Sequence, residues 1–144
     1  MINLKHIGIY VEDIEKLCCF YKNSFGMVPV CENLEDTGPL YYELYGNEVK
    51  VLITKLITDY GKTTGQGEML ELIQVYNGIE SEKNPRNIQD IGISHFSLGV
   101  DDIFSAVEKV KSNGGSNYTR IVQIGEKYCC FCKDPEGNVI ELIQ

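Results

Sequence analysis

An internal repeat constrains the fold of this chain more than any other feature. The segment HIGIYVEDI, which starts at His6, aligns with HFSLGVDDI, which starts at His95, at an offset of 95 − 6 = 89 residues. Gly26 and Gly115 keep the same offset, so the match extends well beyond the two segments. A repeat of this kind is typical of a chain built from two copies of one supersecondary unit.

Each copy predicts a strand followed by a helix. The opening run is rich in Ile, Val and Phe, and Asp13 or Asp102 then stands where a helix N-cap accepts backbone N–H groups. An apolar face at helical spacing follows in both copies, with Ile14, Leu17, Cys18 and Tyr21 in the first and Ile103, Ala106, Val107 and Val110 in the second. Gly26 and the pair Gly114-Gly115 are expected to end these helices.

The rest of each copy has β-type sequence. The first copy contains MVPVCEN, PLYYELYG, VKVLITKLI and EMLELIQVY, and the second contains SNYTRIVQI, KYCCFCKD and NVIELIQ. Both copies therefore predict a βαβββ module, the first with PLYYELYG as an additional segment in its surplus, and the fold class is α+β. The first copy is longer, and its surplus in EDTGPLYYELYGN and TDYGKTTGQG is expected to form loops over a site.

The length of the chain favours one domain. Its 144 residues, 43% of them hydrophobic, suit a single domain over 1–144, with module one at 1–76, a polar linker at 77–92 and module two at 93–144. A single module would leave one face of a short sheet uncovered. The two modules are therefore expected to associate face to face, within one chain or through a partner chain.

Composition argues against several classes of partner. The net charge is −8 and the two arginines are scattered, so the sequence has no basic stripe for nucleic acid or an anionic membrane surface. The opening residues lack a secretory signal pattern and no apolar run is long enough to span a membrane, which favours a cytoplasmic protein. Adjacent cysteines rarely reach disulfide geometry, so the thiols are expected to be reduced, and those in YCCFC to serve as small apolar side chains of a strand.

Two histidines and two glutamates form a candidate metal site. The only histidines, His6 and His95, occupy the same position of the repeat, and Glu71 and Glu141 both begin the tetrapeptide ELIQ. Such residues alternatively are hydrogen-bonded histidines and glutamates that face water. The apolar neighbours of both glutamates favour burial, which costs a carboxylate several kcal/mol unless it is paired or binds a cation. Nitrogen and oxygen donors suit Ni²⁺, Co²⁺, Mn²⁺, Fe²⁺ or Zn²⁺ without choosing among them.

Two longer motifs carry a resemblance to a known family. The opening KHIGIYVEDIEKLCCFYKNSFGM and the ending FCKDPEGNVIEL resemble the first strand and helix and the last turn and strand of the glyoxalase/bleomycin-resistance/dioxygenase group, the vicinal oxygen chelate superfamily. The resemblance covers essentially the whole chain. It implies paired βαβββ modules in a half-open, metal-centred barrel, with one divalent ion per site held by His6, Glu71, His95 and Glu141.

The full His, Glu, His, Glu pattern resembles glyoxalase I, the lactoylglutathione lyases. The resemblance implies a metal-dependent lyase or isomerase that moves a proton through a metal-bound enediolate of a hemithioacetal or related α-oxo substrate. It makes Glu141 the base and Glu71 its symmetric counterpart and second proton shuttle. A methylmalonyl-CoA epimerase-like racemase would use the same residues, and a metal-free small-molecule binding or resistance protein is the alternative from another class.

One departure from the family pattern leaves the substrate open. Glutathione-using glyoxalases commonly place an Arg near the first His, whereas here the strand reads Leu4-Lys5-His6 and Arg86 is the first arginine. The sequence offers Lys5, Lys50, Lys127 and Arg120 as other cations, and Tyr41, Tyr42 and Tyr45 as residues that wall the pocket or pack a hairpin or subunit contact. A small molecule is the expected ligand and a homodimer the default assembly.

Overall fold

The protein consists of two compact units. The computed structural model describes residues 1–36, 38–46, 49–76 and 87–144. The units comprise Met1–Lys22 with Gly26–Ser81, and Asn23–Phe25 with Glu82–Gln144. Apart from the last turn of the first helix, each unit corresponds to one copy of the repeat. Residues 77–86 of the expected linker lie outside the described residues, and residues 87–92 include a turn in which Asp90 N donates to Asn87 O at 3.0 Å.

The first module contains four strands and three helices. Its elements are β1 (His6–Tyr10), α1 (Ile14–Phe25), β2 (Val28–Asp36), α2 (Pro39–Tyr45), β3 (Lys50–Ile57), α3 (Asp59–Thr64) and β4 (Met69–Tyr76). They form one sheet in the order β1-β4-β3-β2, in which β1 and β4 are parallel and the other neighbours antiparallel. The first and last strands of the module are therefore adjacent.

The second module repeats this topology. Its elements are β5 (Phe96–Gly99), α4 (Ile103–Ser112), β6 (Ser116–Asn117), β7 (Val122–Ile124), β8 (Lys127–Lys133) and β9 (Val139–Ile143). The sheet order is β5-β9-β8-β6, with β7 also paired to β8, and β5 and β9 are again parallel neighbours. The predicted α+β class with two βαβββ modules is confirmed.

Two predictions about the longer first module are wrong. The segment PLYYELYG, predicted as a strand within a loop, forms α2, and the second expected loop contains α3. Proline suits the first turn of a helix, and Pro39 opens α2, while Gly46 ends it in the left-handed conformation at φ 66°. Tyr41 and Tyr45, four residues apart, stack on each other and pack against the sheet. These local signals outweigh the β propensity of tyrosine.

The two long helices match the sequence prediction at their N-termini and apolar faces. α1 ends at Gly26 as expected, whereas the C-cap of α4 is Asn113, one residue before the expected glycine pair. Asp13 accepts the backbone N–H of Lys16 at 2.9 Å, and Asp102 accepts that of Ser105 at 3.0 Å, so both aspartates are the expected N-caps. All eight residues of the predicted apolar faces are buried: Ile14, Leu17, Cys18, Tyr21, Ile103, Ala106, Val107 and Val110. None of the helices in the described part of the chain is long and apolar enough to cross a membrane.

The cysteines of YCCFC lie in β8. Cys130 and Cys132 are buried there, and burial is the largest cause that raises the pKa of Cys132 to about 12. All six cysteines are free thiols. Cys130 and Cys132 therefore pack as small apolar side chains, as the sequence predicts.

The glutamine of each ELIQ stabilises the helix of its own module. Gln74 Oε1 accepts the N–H of Ile14 at 3.0 Å, and Gln144 Oε1 accepts the N–H of Ile103 at 2.7 Å. Ile14 and Ile103 are the first residues of α1 and α4, whose N–H groups have no partner within the helix. Each glutamine thus joins the last strand of its module to the helix.

We expect Gln74→Leu and Gln144→Leu each to lower the free energy of unfolding by about 1 kcal/mol, because each leaves a helix N–H without its acceptor. Urea unfolding followed by circular dichroism measures the loss. Gln66→Leu is the matched control, since Gln66 is exposed, and should change stability by less than about 0.5 kcal/mol. Equal midpoints for all three variants would contradict this role.

Candidate metal centre

The predicted ligands of the first module lie on one face of its sheet. The strand register places Glu71 of β4 beside Gly8 of β1 and opposite Lys55 of β3. His6 is two residues from Gly8, and alternate residues of a strand face the same side. The opposite face is the one that carries Gln74, whose amide oxygen accepts from α1. The candidate site and α1 are therefore on opposite sides of the sheet.

Glu71 contacts a histidine and a lysine. His6 Nε2 lies 3.0 Å from Glu71 Oε2, and Lys55 Nζ lies 3.4 Å from Glu71 Oε1. The Glu71 side chain is only 10% exposed. A carboxylate so far removed from water needs partners, and these two contacts provide them.

The second module brings together the equivalent pair. His95 Nε2 lies 3.5 Å from Glu141 Oε2, and the Ser97 hydroxyl donates to the same oxygen. The Glu141 side chain is 25% exposed, more than that of Glu71. The ring of Phe131 packs edge-on against His95 with a centroid separation of 5.0 Å.

A hydrogen bond on the far side of the ring orients His95. Ser94 Oγ lies 2.7 Å from His95 Nδ1, a shorter contact than that of Nε2 with Glu141. With its hydrogen on Nε2, the ring donates toward Glu141 and Ser94 donates to Nδ1; with the hydrogen on Nδ1, Ser94 accepts it and the lone pair of Nε2 is available to a metal ion. Metal-binding histidines are commonly oriented by a partner on the second ring nitrogen in this way.

The surroundings of the two His–Glu pairs differ at equivalent positions of the repeat. Gly8 neighbours Glu71 as Ser97 neighbours Glu141, and a β-carbon on Gly8 would lie 3.7 Å from Glu71 Oε2. Across the antiparallel strand, Lys55 stands opposite Glu71, whereas Phe131 stands opposite Glu141. The repeat thus keeps the His–Glu pairs but changes their neighbours.

Tyrosines of α2 lie on the same face of the first sheet as Glu71. Tyr41 is buried in a cluster with Tyr45 and with Val51, Ile53, Ile73 and Val75 of β3 and β4. Burial, and next the charge of Glu71, raises the pKa of Tyr41 to about 12, so its phenol stays protonated. Tyr45 donates to the Tyr10 hydroxyl at 2.5 Å. Tyr41 therefore packs the sheet, whereas Tyr42 is exposed.

The structure places the other predicted cations outside the contacts of Glu71 and Glu141. Lys50 pairs with Glu35 at 3.2 Å, and Lys5, Lys127 and Arg120 are exposed. Arg86 lies outside the described residues. The sequence analysis missed Lys55, Ser94 and Ser97; alternation along β1 and β5 could have found Ser97, whereas Lys55 required the register of β3 and β4.

The donors of each pair fit a divalent metal ion. First-row metals bind imidazole nitrogen and carboxylate oxygen at about 2.0–2.2 Å, so neighbouring donors on one ion are roughly 3 Å apart. The His–Glu separations of 3.0 and 3.5 Å agree with that spacing. Among the described residues, the structure contains no group of three or more His, Cys, Asp or Glu side chains placed to hold a metal. The union of both pairs in one site stays a prediction.

Comparison with known proteins places the chain in a family. The sequence profile of the Glyoxalase/Bleomycin resistance protein/Dioxygenase superfamily matches residues 3–142. The chain belongs to this superfamily. It is 31% identical over 146 residues to a probable lactoylglutathione lyase of Vibrio parahaemolyticus, covering 96% of this chain and 88% of the relative. It is 28% identical over 148 residues to the lactoylglutathione lyase of Salmonella typhimurium, covering 99% and 93%.

Solved structures of the superfamily share the fold. A glyoxalase family protein from Bacillus cereus aligns with a TM-score of 0.86 at 18% identity, covering 99% of this chain and 93% of that one. A glyoxylase/bleomycin resistance protein/dioxygenase domain from Frankia aligns with a TM-score of 0.70 at 14% identity, covering 99% and 91%. The resemblance noted in the sequence is therefore confirmed at the level of family and fold.

We expect His95 of the metal-free protein to carry its hydrogen on Nε2, which faces the Glu141 carboxylate, with Ser94 donating to Nδ1. Zn²⁺ should move the hydrogen to Nδ1, because the ion would bind the lone pair of Nε2 and Ser94 would then accept from Nδ1. Nitrogen-15 spectra of the imidazole rings, recorded at alkaline pH, distinguish the two forms, and protein without added Zn²⁺ is the control. A His95 that keeps its hydrogen on Nε2 in the Zn²⁺-loaded protein would contradict the assignment.

Proposed function

We propose that the protein is a metal-dependent enzyme of the glyoxalase I kind, a lyase or isomerase acting on a hemithioacetal or related α-oxo substrate. One observation carries this proposal: each module holds a histidine in direct contact with a glutamate, at 3.0 Å in His6–Glu71 and 3.5 Å in His95–Glu141. Two such pairs supply the full ligand set expected of that family. The lactoylglutathione lyases among the relatives support the same activity.

In this proposal His6, Glu71, His95 and Glu141 together hold one divalent ion. Their nitrogen and oxygen donors accept Ni²⁺, Co²⁺, Zn²⁺, Mn²⁺ or Fe²⁺. When bound, the ion supplies positive charge that stabilises negative charge on the oxygens of the substrate. The imidazoles orient the site, with His95 fixed by Ser94 at 2.7 Å.

We assign the proton transfer to Glu141. A carboxylate that accepts a proton from one carbon and returns it to the next must be able to move between them. The Glu141 side chain is 25% exposed and accepts from the neutral hydroxyl of Ser97, whereas Glu71 is 10% exposed and held by the Lys55 ammonium at 3.4 Å. Glu71 is accordingly the more fixed carboxylate and the second shuttle.

The assembly that this activity requires is also part of the proposal. The two modules would form a single domain over 1–144, a half-open barrel, with the two pairs meeting within one chain or across a homodimer. The substrate is a small molecule, and the acidic charge of −8 argues against nucleic acid as a partner. A cytoplasmic location stays a prediction from the sequence.

We expect Glu141→Gln to bind divalent metal more weakly and to lower the turnover of a methylglyoxal–thiol hemithioacetal about 10²–10⁴-fold, because one group is both ligand and base. Elemental analysis of protein purified without an affinity tag and a steady-state assay measure the two effects. Glu126→Gln, at an exposed glutamate of the same module, should leave both unchanged.

Two results would contradict different parts of the proposal, the metal dependence and the substrate. A wild-type protein that stays free of metal after reconstitution with Ni²⁺, Co²⁺, Mn²⁺ and Zn²⁺ would sink the metal-dependent enzyme. A loaded protein that epimerises an acyl-CoA thioester but leaves hemithioacetals unchanged would refute the substrate and keep the metal centre.

A further inference from the structure

Lys55 is the cation in contact with the first proposed ligand pair. Its Nζ lies 3.4 Å from Glu71 Oε1, and the two residues are opposite each other on antiparallel strands. The side chains of Lys55 and Glu71 are 32% and 10% exposed. Lys50, on the same strand as Lys55, pairs with Glu35 of β2, and these two side chains are 53% and 58% exposed. Water screens the Lys55 pair less than this surface pair.

The repeat shows that the fold does not require a lysine at this position. Phe131 occupies the equivalent place opposite Glu141, and it packs on His95. The backbone pairing around Phe131 matches that around Lys55, so the strand tolerates an apolar side chain there. The ammonium of Lys55 is therefore a local feature of the first pair.

We propose that Lys55 is a built-in competitor for the Glu71 carboxylate, which weakens divalent-cation binding at the candidate site. The inference rests on the proposed function, since it takes Glu71 as a ligand. A divalent ion on Glu71 must displace the ammonium or share the carboxylate with it. Like charges a few ångströms apart repel strongly where burial reduces screening. Lys55 thereby restricts the site to ions that bind nitrogen and oxygen donors tightly.

An orienting role would have the opposite effect on binding. If Lys55 chiefly held Glu71 in place, its removal would weaken metal binding. The orientation of Glu71 has a second source, because His6 contacts the other oxygen, Oε2, at 3.0 Å. Loss of the ammonium should therefore remove repulsion and leave the carboxylate beside its histidine.

Calorimetric titration of the metal-free, full-length protein with Co²⁺ tests the proposal. We expect Lys55→Met to bind Co²⁺ roughly tenfold or more tightly than the wild type, since one positive charge leaves the neighbourhood of the ion. Lys55→Arg, which keeps the charge, should bind like the wild type. Lys50→Met, which removes the same charge from an exposed pair on the same strand, should change the affinity less than twofold, or about 0.4 kcal/mol.

Two further variants make the result specific. Lys55→Gln should show the same gain and replaces Lys55→Met if that variant fails to fold. In a Glu71→Gln background the gain should shrink, because the competition for the carboxylate is lost and only the direct repulsion between the ammonium and the ion is left. A gain of undiminished size without Glu71 would overturn the proposal.

Each outcome of the titration is decisive. Equal or weaker binding by Lys55→Met than by a wild type that binds Co²⁺ overturns the inference and leaves the proposed function standing. Binding by Lys55→Met alone supports the inference in its strongest form. Binding of Co²⁺ by neither protein overturns the inference, and it overturns the metal-dependent function as well when Ni²⁺, Mn²⁺ and Zn²⁺ also fail to bind.

Discussion

The site depends on the parallel pairing of the first and last strands of each module. This pairing places His6 beside Glu71 although 71 − 6 = 65 positions separate them, and His95 beside Glu141 across 141 − 95 = 46 positions. Each pair therefore depends on a contact between strands that are far apart in the sequence. The tetrapeptide ELIQ has two roles. Its Glu faces the candidate site, and its Gln, three residues later and on the other face of the sheet, accepts a hydrogen bond from the first N–H of the helix.

The two modules keep one scaffold and differ at the residues around their carboxylates. A lysine and a glycine neighbour Glu71, whereas Phe131 and Ser97 neighbour Glu141. A charged partner on a nearly buried carboxylate restricts it more than a hydroxyl does on a more exposed one. The repeat therefore supplies two equivalent His–Glu pairs, whose carboxylates differ in exposure and in their partners.

Much of this arrangement could be predicted from the sequence, because the repeat provides two different sequences for each equivalent strand or helix, and their shared pattern identifies the element. The N-caps Asp13 and Asp102, the apolar helix faces and the α+β class with two βαβββ modules are confirmed. The prediction failed at α2, which occurs only in the first module and so had no second copy to compare. Lys55 was missed because its contact with Glu71 depends on the register between β3 and β4. That register is set by the length and conformation of the α3 connection, which the sequence pattern did not reveal.

Anomalous diffraction at the metal edge, from crystals of the protein loaded with Ni²⁺ or Co²⁺, would locate the proposed ion. We predict one peak per site, within about 2.0–2.3 Å of His6 and His95 nitrogens and Glu71 and Glu141 oxygens, contributed by one chain or by two. A peak that contacts only one of the two pairs, or that lies on the cysteines of β8, would contradict this prediction.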